Sequence, residues 1–367
     1  MRWSVRIARI AGIEVRVHAT FALLLLWVAY VERAASGTMR AALIGVIFIL
    51  FVFATVVLHE LGHALVAQRY GVQTKEITLL PIGGVSRLER MPEDPRQELW
   101  IAAAGPMVSV AVAGLLFLAL LAAGAWPAPA GPWWGGVWRF VQRLMWVNVA
   151  LAAFNLLPAF PMDGGRVVRS LLARKMPYPQ ATEWAARLGQ GFALAFGILG
   201  VFYSPILILI ALFIWLGASS EGAEAQVRAG LSGIPVKDAM VTDFRSVSPE
   251  EPLSRGVELV LAGAQEDFPV LDDGKLVGVL TRRGMLVALS RGGAEQPIYG
   301  AMDRDFQTAD PSEMLSDALP RLRERECQTV PVERDGIVVG LLTRENISDF
   351  LAIRAARAAA PEPKAHA

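Results

Sequence analysis

The sequence contains very little cysteine and little histidine. Its single cysteine, Cys327, excludes an intrachain disulfide and a cysteine-rich metal site, and is consistent with a reducing compartment. With only four histidines among 367 residues, a metal site would have to combine imidazole with carboxylate ligands. The formal net charge of +1 provides no overall basic or acidic field, so we expect no nucleic-acid partner.

Charged residues are also scarce, at 19%, whereas hydrophobic residues reach 54% and the mean hydropathy is +0.43. This composition predicts an apolar membrane part joined to a soluble part. The predicted fold class is a polytopic α-helical membrane protein with about six transmembrane helices and a C-terminal soluble α/β domain. The predicted spans are residues 17–31, a helix from residue 41 through residue 63, residues 99–121, residues 141–157, and two short spans within residues 188–218.

The last of these runs leaves two span counts open. One helix over residues 188–218 would be about 46 Å long, too long for the bilayer without strong tilt, so we prefer two spans that turn at Ser204-Pro205. Two spans return the C-terminal domain to the cytoplasm, whereas one kinked helix gives five spans. Arginines before the first span predict a cytoplasmic N-terminus in a multi-pass protein of the plasma membrane.

The second predicted span contains the motif His59-Glu60-Leu61-Gly62-His63 directly after eighteen uncharged residues. Residues four apart in an α-helix project from nearly the same face, so the two histidines can bind one cation. Glu60 can accept a proton from a water molecule at the metal, as in H-E-x-x-H zinc peptidases. A chance match or an ordinary histidine pair is the alternative, but ionisable groups at membrane depth are usually functional. The motif therefore predicts a zinc hydrolase.

A third metal ligand is predicted where the fourth span ends. Asp163 follows that span in a turn rich in proline and glycine, and the topology returns it to the depth of His59 and His63. Its carboxylate can complete a site of three protein ligands with a fourth position open for water or substrate. For this residue alone, an ordinary turn-forming aspartate is the alternative explanation.

Two further features lie near the predicted site. Residues 76–80 and 85–89 flank a turn at residues 81–84, a pattern that predicts a β-hairpin. Its edge could hold a substrate in an extended conformation, and a plain surface hairpin fits the pattern equally well. His18, at the start of the first span, could approach the metal or a substrate, although a histidine at a membrane interface is more often structural.

The C-terminal part contains an internal repeat with a constant offset of 62 residues. Each copy has an Asp-Gly turn between β-rich runs, so the repeat predicts two copies of one small α/β unit. The matching positions include Pro249 and Pro311, Gly278 and Gly340, Thr281 and Thr343, and Asp273-Gly274 and Asp335-Gly336. The predicted domains are residues 1–219 in the membrane, a linker at 220–234, the repeat copies at 235–291 and 297–353, and a disordered tail at 354–367.

Through these motifs, residues 1–219 resemble the site-2 protease family of intramembrane zinc metalloproteases. The resemblance implies that His59, His63 and Asp163 bind one Zn²⁺ per chain and that Glu60 is the catalytic base. It also implies that Asn155 helps to bind the scissile peptide or its oxyanion. Two glycine motifs match those of the family, Gly83-Gly84 in its re-entrant hairpin and Gly105-Pro106 in its third span.

The repeat resembles a tandem pair of CBS modules (cystathionine-β-synthase type). The resemblance implies an adenine nucleotide between the two copies, with Thr281 and Thr343 as nucleotide contacts. The aspartate of the family's G-x-x-T-x-x-D turn is missing in both copies, where Gly284 and Asn346 take its place. A role in homodimerisation or another interaction is therefore the alternative for these modules.

Together these features predict an intramembrane zinc metalloprotease that cleaves transmembrane segments of single-span membrane proteins, such as an anti-sigma factor. Its cytoplasmic CBS modules would regulate this activity, as in regulated intramembrane proteolysis. The alternative is a CBS-gated transporter or channel whose intramembrane polar residues line an ion path. That alternative gives no reason for a glutamate between two helix-spaced histidines together with a distant aspartate.

Overall fold

The computed structural model describes residues 3–81, 83–88, 94–128, 130–132, 136–231, 233–263, 265–324 and 329–359. The chain divides into two compact units, Met1–Ala225 and Gln226–Ala367. The first unit is mainly helical, and the second is α/β.

The first unit is a bundle of helices, several of them long and apolar. Over the described residues, four helices could cross a membrane: α2, α3, α6 and the first 22 residues of α7. This confirms a polytopic helical membrane protein, although the predicted spans at α1 and α4 do not meet the same measure of length and hydropathy. The helices are α1 Thr20–Ser36, α2 Met39–Arg69, α3 Pro95–Ala122, α4 Val137–Asn155, α5 Asp163–Ala173, α6 Tyr178–Phe202 and α7 Pro205–Leu231.

The turn between α6 and α7 confirms the preferred interpretation of residues 188–218 as two helices. Pro205 is the first residue of α7, a position where the missing N–H would have had no intrahelical partner. Both helices extend further than predicted, and α7 continues to Leu231. The boundary between the two units, at residues 225 and 226, lies within the predicted linker at residues 220–234, and α7 extends through this boundary to Leu231.

A four-stranded sheet accompanies the helices, with the strand order β1-β2-β3-β4. The strands are β1 Ser4–Ile10, β2 Ile13–His18, β3 Thr74–Leu80 and β4 Gly83–Leu88. The pairs β1–β2 and β3–β4 are antiparallel, whereas β2 and β3 run parallel. The predicted hairpin is confirmed as β3 and β4, except that Glu89 lies outside the described residues.

The hairpin of β1 and β2 was not predicted, because the arginines in this segment pointed only to a basic flank of the first span. Apolar and basic residues alternate over residues 5–7 and again over residues 8–10, as expected for a strand with an irregularity between Arg6 and Ala8. Ala11 and Gly12, between the strands, have φ values of 50° and 84°, as a tight hairpin turn requires. Residues 17 and 18 thus belong to β2, and α1 begins only at Thr20.

Helices α2 and α3 approach each other closely at the histidine motif. A Cβ added to Gly62 would lie 2.8 Å from Cγ2 of Val108 and 3.0 Å from the carbonyl oxygen of Ala104. Small residues at helix contacts let backbones approach within a membrane, where packing rather than the hydrophobic effect drives association. The glycine of the motif therefore brings α3 next to the two histidines.

The second unit contains the two repeat copies. The first copy has α8 Leu253–Ala262, β5 Phe268–Asp272, β6 Lys275–Leu280 and α9 Arg282–Gly292, and the second has α10 Leu315–Glu324, β7 Thr329–Arg334, β8 Ile337–Thr343 and α11 Arg344–Ala359. Both Asp-Gly turns have positive φ angles, as predicted for hairpins. The repeat is thus confirmed.

Each copy is completed by the segment that precedes the other. Val241 pairs with Leu341 of the second copy, and Asp303 pairs with Val279 of the first. Leu231, at the end of α7, is buried in the core of the second copy. The predicted tail was placed too early, because α11 continues to Ala359, and residues 360–367 lie outside the described part.

Candidate metal centre

Helix α2 places its two motif histidines side by side inside the protein. His59 is 3% exposed and His63 is 6% exposed, and their Nε2 atoms lie 3.2 Å apart. This geometry follows from the four-residue spacing, since each turn of helix contains 3.6 residues. The prediction that both histidines face one point is confirmed.

Asp163, the first residue of α5, completes the cluster. Its Oδ2 atom lies 3.2 Å from Nε2 of His59 and 3.2 Å from Nε2 of His63. Among the described residues, these three form the one group of His, Cys, Asp or Glu side chains close enough to hold a metal ion. The predicted convergence of two distant pieces of chain is therefore present.

The donor atoms fit a tetrahedral zinc ion. Ligand atoms about 2.0–2.1 Å from Zn²⁺ in tetrahedral geometry lie about 3.3 Å from one another. The three distances of 3.2 Å between the Nε2, Nε2 and Oδ2 atoms match that spacing. Burial raises the pKa of the Asp163 carboxyl, but the neighbouring imidazoles and Arg166 outweigh burial and lower it. The aspartate is thus ionised, as a metal ligand requires.

The other nitrogens of the two imidazoles are held by α3. Nδ1 of His63 donates to the carbonyl oxygen of Ile101 at 2.6 Å, and Nδ1 of His59 lies 2.9 Å from Oγ of Ser109. A carbonyl oxygen only accepts, so Nδ1 of His63 carries the proton and its Nε2 keeps a lone pair for a metal. Sequence reasoning missed both partners. Ser109 could have been found, because it is the only hydroxyl residue in the run at residues 99–121.

Gly105 of α3 faces the cluster directly. A Cβ at this position would lie 2.1 Å from Nε2 of His63 and 2.6 Å from Nε2 of His59. No side chain fits there without moving the proposed ligands. Gly105 of the Gly105-Pro106 motif therefore leaves room for the two imidazoles of the predicted metal centre.

The turn that leads to Asp163 is packed backbone against backbone. A Cβ on Gly164 would lie 2.1 Å from the carbonyl oxygen of Leu157, and one on Gly165 would lie 2.7 Å from the carbonyl carbon of Ala159. These two glycines let the first turn of α5 lie against the preceding loop. The aspartate at the start of α5 is thereby fixed by contacts that have little freedom to adjust.

Glu60 is half-buried and lies beneath strand β4. A Cβ on Gly84 would lie 2.9 Å from Cγ of Glu60 and 3.1 Å from Cγ1 of Val56. Gly84 thus lets the edge strand pass directly over the predicted base. An extended chain added at that edge would lie close to Glu60.

Two other predicted residues have their described hydrogen bonds with residues outside the cluster. Asn155 is the last residue of α4, where its Nδ2 donates to the carbonyl oxygen of Leu151 at 3.0 Å. Its role in binding the scissile peptide stays a prediction. Nδ1 of His18 lies 2.9 Å from Oγ1 of Thr20, and His18 does not belong to the metal-binding group. Its described contact agrees with a structural role.

In the second unit, both predicted nucleotide contacts are helix N-caps. Oγ1 of Thr281 accepts from the backbone N–H of Gly284 at 3.0 Å, and Oγ1 of Thr343 accepts from that of Asn346 at 3.2 Å. Beside Thr281 is a cavity of about 340 Å³ whose lining includes Arg283, Arg291 and Asp303. Nucleotide binding itself stays a prediction.

The fold and the cluster together define a class. A His-Glu-x-x-His helix completed by an aspartate, within apolar helices that could cross a membrane, is the site of a membrane-embedded metallopeptidase. Comparison with known proteins agrees. The profile of peptidase family M50 matches residues 47–126 and 131–196, and that of the CBS domain matches residues 236–291 and 298–353.

Two relatives show the family. The chain is 34% identical over 287 residues to a zinc metalloprotease from Methanocaldococcus jannaschii. The alignment covers 76% of this chain and 78% of that relative. It is 31% identical over 398 residues to Rip3 from Mycobacterium tuberculosis, which is named as a zinc metalloprotease. That alignment covers 99% of this chain and 96% of Rip3. The chain belongs to peptidase family M50 and is a site-2-protease-type zinc metalloprotease with a tandem CBS pair.

A solved structure is also similar. The site-2 protease from Methanocaldococcus jannaschii has 37% sequence identity and covers 60% of this chain and 95% of its own, with a TM-score of 0.44.

Proposed function

We propose that this membrane metalloprotease cleaves peptide bonds inside the transmembrane segments of single-span membrane proteins. The observation that supports this most directly is the place of His59 and His63 within α2, a 31-residue apolar helix. His59 comes twenty residues after Met39, about 30 Å along the helix axis, which equals the thickness of a hydrocarbon core. The cluster therefore lies within reach of a membrane-embedded segment and near one face of the bilayer.

His59, His63 and Asp163 would hold Zn²⁺ through the Nε2, Nε2 and Oδ2 atoms. When bound, the ion polarises the scissile carbonyl and lowers the pKa of water towards 7. Glu60 then accepts the proton of the attacking water on its carboxylate and delivers it to the leaving amine. Strand β4 and helix α3 cover the two sides of this site, which limits its contact with bulk water.

The substrate helix must unwind before attack, because its amides are engaged in i to i+4 hydrogen bonds. Strand β4 has β3 as its neighbour in the described sheet, so its other edge offers backbone groups to an added strand. Gly84 of β4 lies over Glu60, so a substrate strand on this edge runs past the base. We therefore assign the substrate to the edge of β4.

We place the protein in the plasma membrane, with its N-terminus, the active-site side and the CBS pair in the cytoplasm. The support is the distribution of basic residues, which favours the cytoplasmic side for the N-terminal segment and the loops after α2 and α5. In that orientation, cytosolic water reaches the end of α2 where the histidines lie.

The substrate class we favour is a membrane-anchored regulator, such as an anti-sigma factor, released by regulated intramembrane proteolysis. The CBS pair would regulate cleavage, and α7 is the continuous helix that joins the two units through Leu231. The cavity beside Thr281, with its two arginines, suits an anionic ligand such as an adenine nucleotide. Homodimerisation through the CBS pair is the alternative use of these modules, and a CBS-gated transporter is disfavoured by membership of a peptidase family.

The test is cleavage of a single-span protein in liposomes by the purified full-length enzyme, with product masses determined. We expect a cut within the transmembrane segment by the wild-type protein and none by Glu60→Gln, which keeps its zinc. Glu183→Gln, at an exposed ion pair on α6, is the matched control and should cleave normally. Cuts found only outside the membrane segment, or retained cleavage by Glu60→Gln, would refute the proposal. Zinc analysis with trapping of co-purifying membrane proteins on Glu60→Gln would identify natural substrates.

A further inference from the structure

A group of three charged side chains, two of them buried, lies in the membrane unit, apart from the metal cluster. Arg169 of α5 donates from Nε to Oε1 of Glu98 on α3 at 2.7 Å and from Nη1 to Oε2 of Glu221 on α7 at 3.0 Å. Glu98 is 0% exposed and Arg169 is 5% exposed. One guanidinium thus connects three different helices.

Two aromatic rings lie close to the same guanidinium. Its central carbon lies 4.9 Å from the ring centre of Phe160 and 5.0 Å from that of Tyr178. The hydroxyl of Tyr178, at the start of α6, also donates to Oε1 of Glu98 at 3.4 Å. Phe160 belongs to the loop that leads to Asp163. Arg169 therefore contacts residues of α3, α6 and α7 and the loop before α5.

Stability alone does not account for this group. Burying ions is costly, and replacing a buried ion pair by apolar residues often leaves a protein equally stable or more stable. Here one oxygen of Glu98, Oε2, is buried without a hydrogen-bond partner among the described residues, which adds to the cost. Burial alone would lower the pKa of Arg169, but neighbouring charges, Glu98 foremost, outweigh it and raise the pKa, so the guanidinium stays charged. What a directional charged group provides is a defined orientation of the helices it joins.

The helix that Arg169 orients is the one that bears a metal ligand. Asp163 is the first residue of α5, and Arg169 follows six residues later, about 9 Å along the same short helix. Within the described part of the chain, no side chain caps the start of this helix. The carboxylate has to remain 3.2 Å from two imidazoles that belong to α2. A small rotation of α5 would therefore move the Asp163 carboxylate relative to the histidines.

We propose that Arg169 is a positioning residue of the metal centre, which fixes α5 between Glu98 and Glu221 and so holds the Asp163 carboxylate against His59 and His63. The inference rests on the metal centre and is independent of the proposed substrate. The role of Arg169 is to maintain the affinity and the geometry of metal binding, and not to contact the substrate.

The test is the zinc affinity of the purified full-length protein, measured without substrate by competition with a chelating indicator. In Arg169→Lys a point charge replaces the planar fork, so the side chain cannot bond both carboxylates in the same geometry. We expect zinc affinity to fall by about tenfold, the lower end of what lost supporting contacts cost a metal site. The visible spectrum of the Co²⁺-substituted protein should shift as well. Arg187→Lys, at an exposed ion pair on α6, should stay within twofold of the wild type.

A purely stabilising role gives a different result. In that case the zinc-free variant unfolds at a lower temperature, while zinc affinity of the folded fraction stays within twofold and the Co²⁺ spectrum is unchanged. That outcome would overturn the proposal. If Arg169→Lys does not fold, Glu221→Gln decides by the same criterion, because it keeps the pair between Arg169 and Glu98. More than a twofold loss of zinc affinity supports the proposal, and a smaller change refutes it.

Discussion

Gly105 and His63 lie so close that no side chain can stand between them: a Cβ on Gly105 would be 2.1 Å from Nε2 of His63. The glycine belongs to α3 and the histidine to α2. Glycine inside a helix costs about 1 kcal/mol relative to alanine, so its presence here has to be explained by this contact. The two helices thus approach each other closely at the predicted metal ligands.

The first prediction concerns this contact. Gly105→Ala should weaken zinc binding at least tenfold, because the added methyl group displaces Nε2 of both histidines. Zinc content after dialysis, measured by atomic emission, checks it. Gly114→Ala is the matched control on the same helix, since its Cβ meets nothing within 4 Å, and it should bind zinc normally. Full zinc content in Gly105→Ala would show that the space between residue 105 and the two imidazoles is larger than the structure indicates.

The second prediction concerns the ligands. His59→Ala and Asp163→Asn should purify with far less than one zinc per chain, because each removes a donor from a site of three. His18→Ala should retain its zinc, since the described contact of His18 is with Thr20. If His18→Ala loses its zinc and Asp163→Asn keeps it, Asp163 is not the third ligand.

The third prediction concerns the support of His59. Ser109→Ala removes the hydroxyl that lies 2.9 Å from Nδ1 of His59 and should weaken zinc affinity about 10–100-fold. Ser220→Ala removes a hydroxyl whose one hydrogen bond among the described residues goes to the carbonyl oxygen of Gly217 on its own helix, and it should leave zinc affinity unchanged. Chelator competition measures both, and equal affinities would mean that Ser109 does not orient the imidazole.

The fourth prediction concerns the edge of β4. Successive N–H groups of a strand point to opposite sides, and proline removes the N–H group at its position. One of the variants Val85→Pro and Ser86→Pro therefore disrupts the pairing of β4 with β3. The other removes only an N–H group at the outer edge of β4. Both should impair cleavage of a membrane substrate, and the variant with an intact hairpin should keep its full zinc content. Unchanged turnover in that variant would remove substrate addition to β4 from the mechanism.

The fifth prediction concerns the CBS pair. Thr281→Ala removes the N-cap of α9 and should destabilise the start of that helix by about 1 kcal/mol. Hydrogen exchange followed by mass spectrometry on the full chain should show about fivefold faster exchange at the Gly284 amide. Thr281→Ser, which keeps a hydroxyl acceptor, should exchange as the wild type does. Slowed exchange on adding AMP to the wild type would support nucleotide binding, and no effect of AMP would favour the interaction role.

Local patterns were enough to predict much of this protein. The spacing of His59 and His63 fixes their common face on any helix, and the apolar runs fix most of the helices, because both depend on neighbours in the sequence. The offset of 62 residues likewise predicted the repeat and its Asp-Gly turns. The β1–β2 hairpin could have been predicted from the spacing of apolar and basic residues in β1 and from Gly12 in the turn. The arginines were interpreted instead as the basic flank of the first membrane span.

Other features depend on contacts between distant segments. The exchange of leading segments between the two repeat copies, shown by the pairing of Val241 with Leu341, has no signature in either copy alone. The same holds for the group formed by Glu98, Arg169 and Glu221, which come from three helices. Their sequence positions suggest ordinary charges at helix ends, and only the packing shows that Glu98 and Arg169 are buried and that partly exposed Glu221 pairs with Arg169.

By itself, the sequence determined the chemistry of the protein: a helix with two histidines and a glutamate, an aspartate after a later span, and a repeated soluble module. The tertiary structure alone decided that Oδ2 of Asp163 lies 3.2 Å from both imidazoles and that Gly105, Ser109 and Ile101 surround them. The physical reason is that periodicity is set by the backbone within one element. The meeting of atoms about 100 residues apart is set by how whole helices pack.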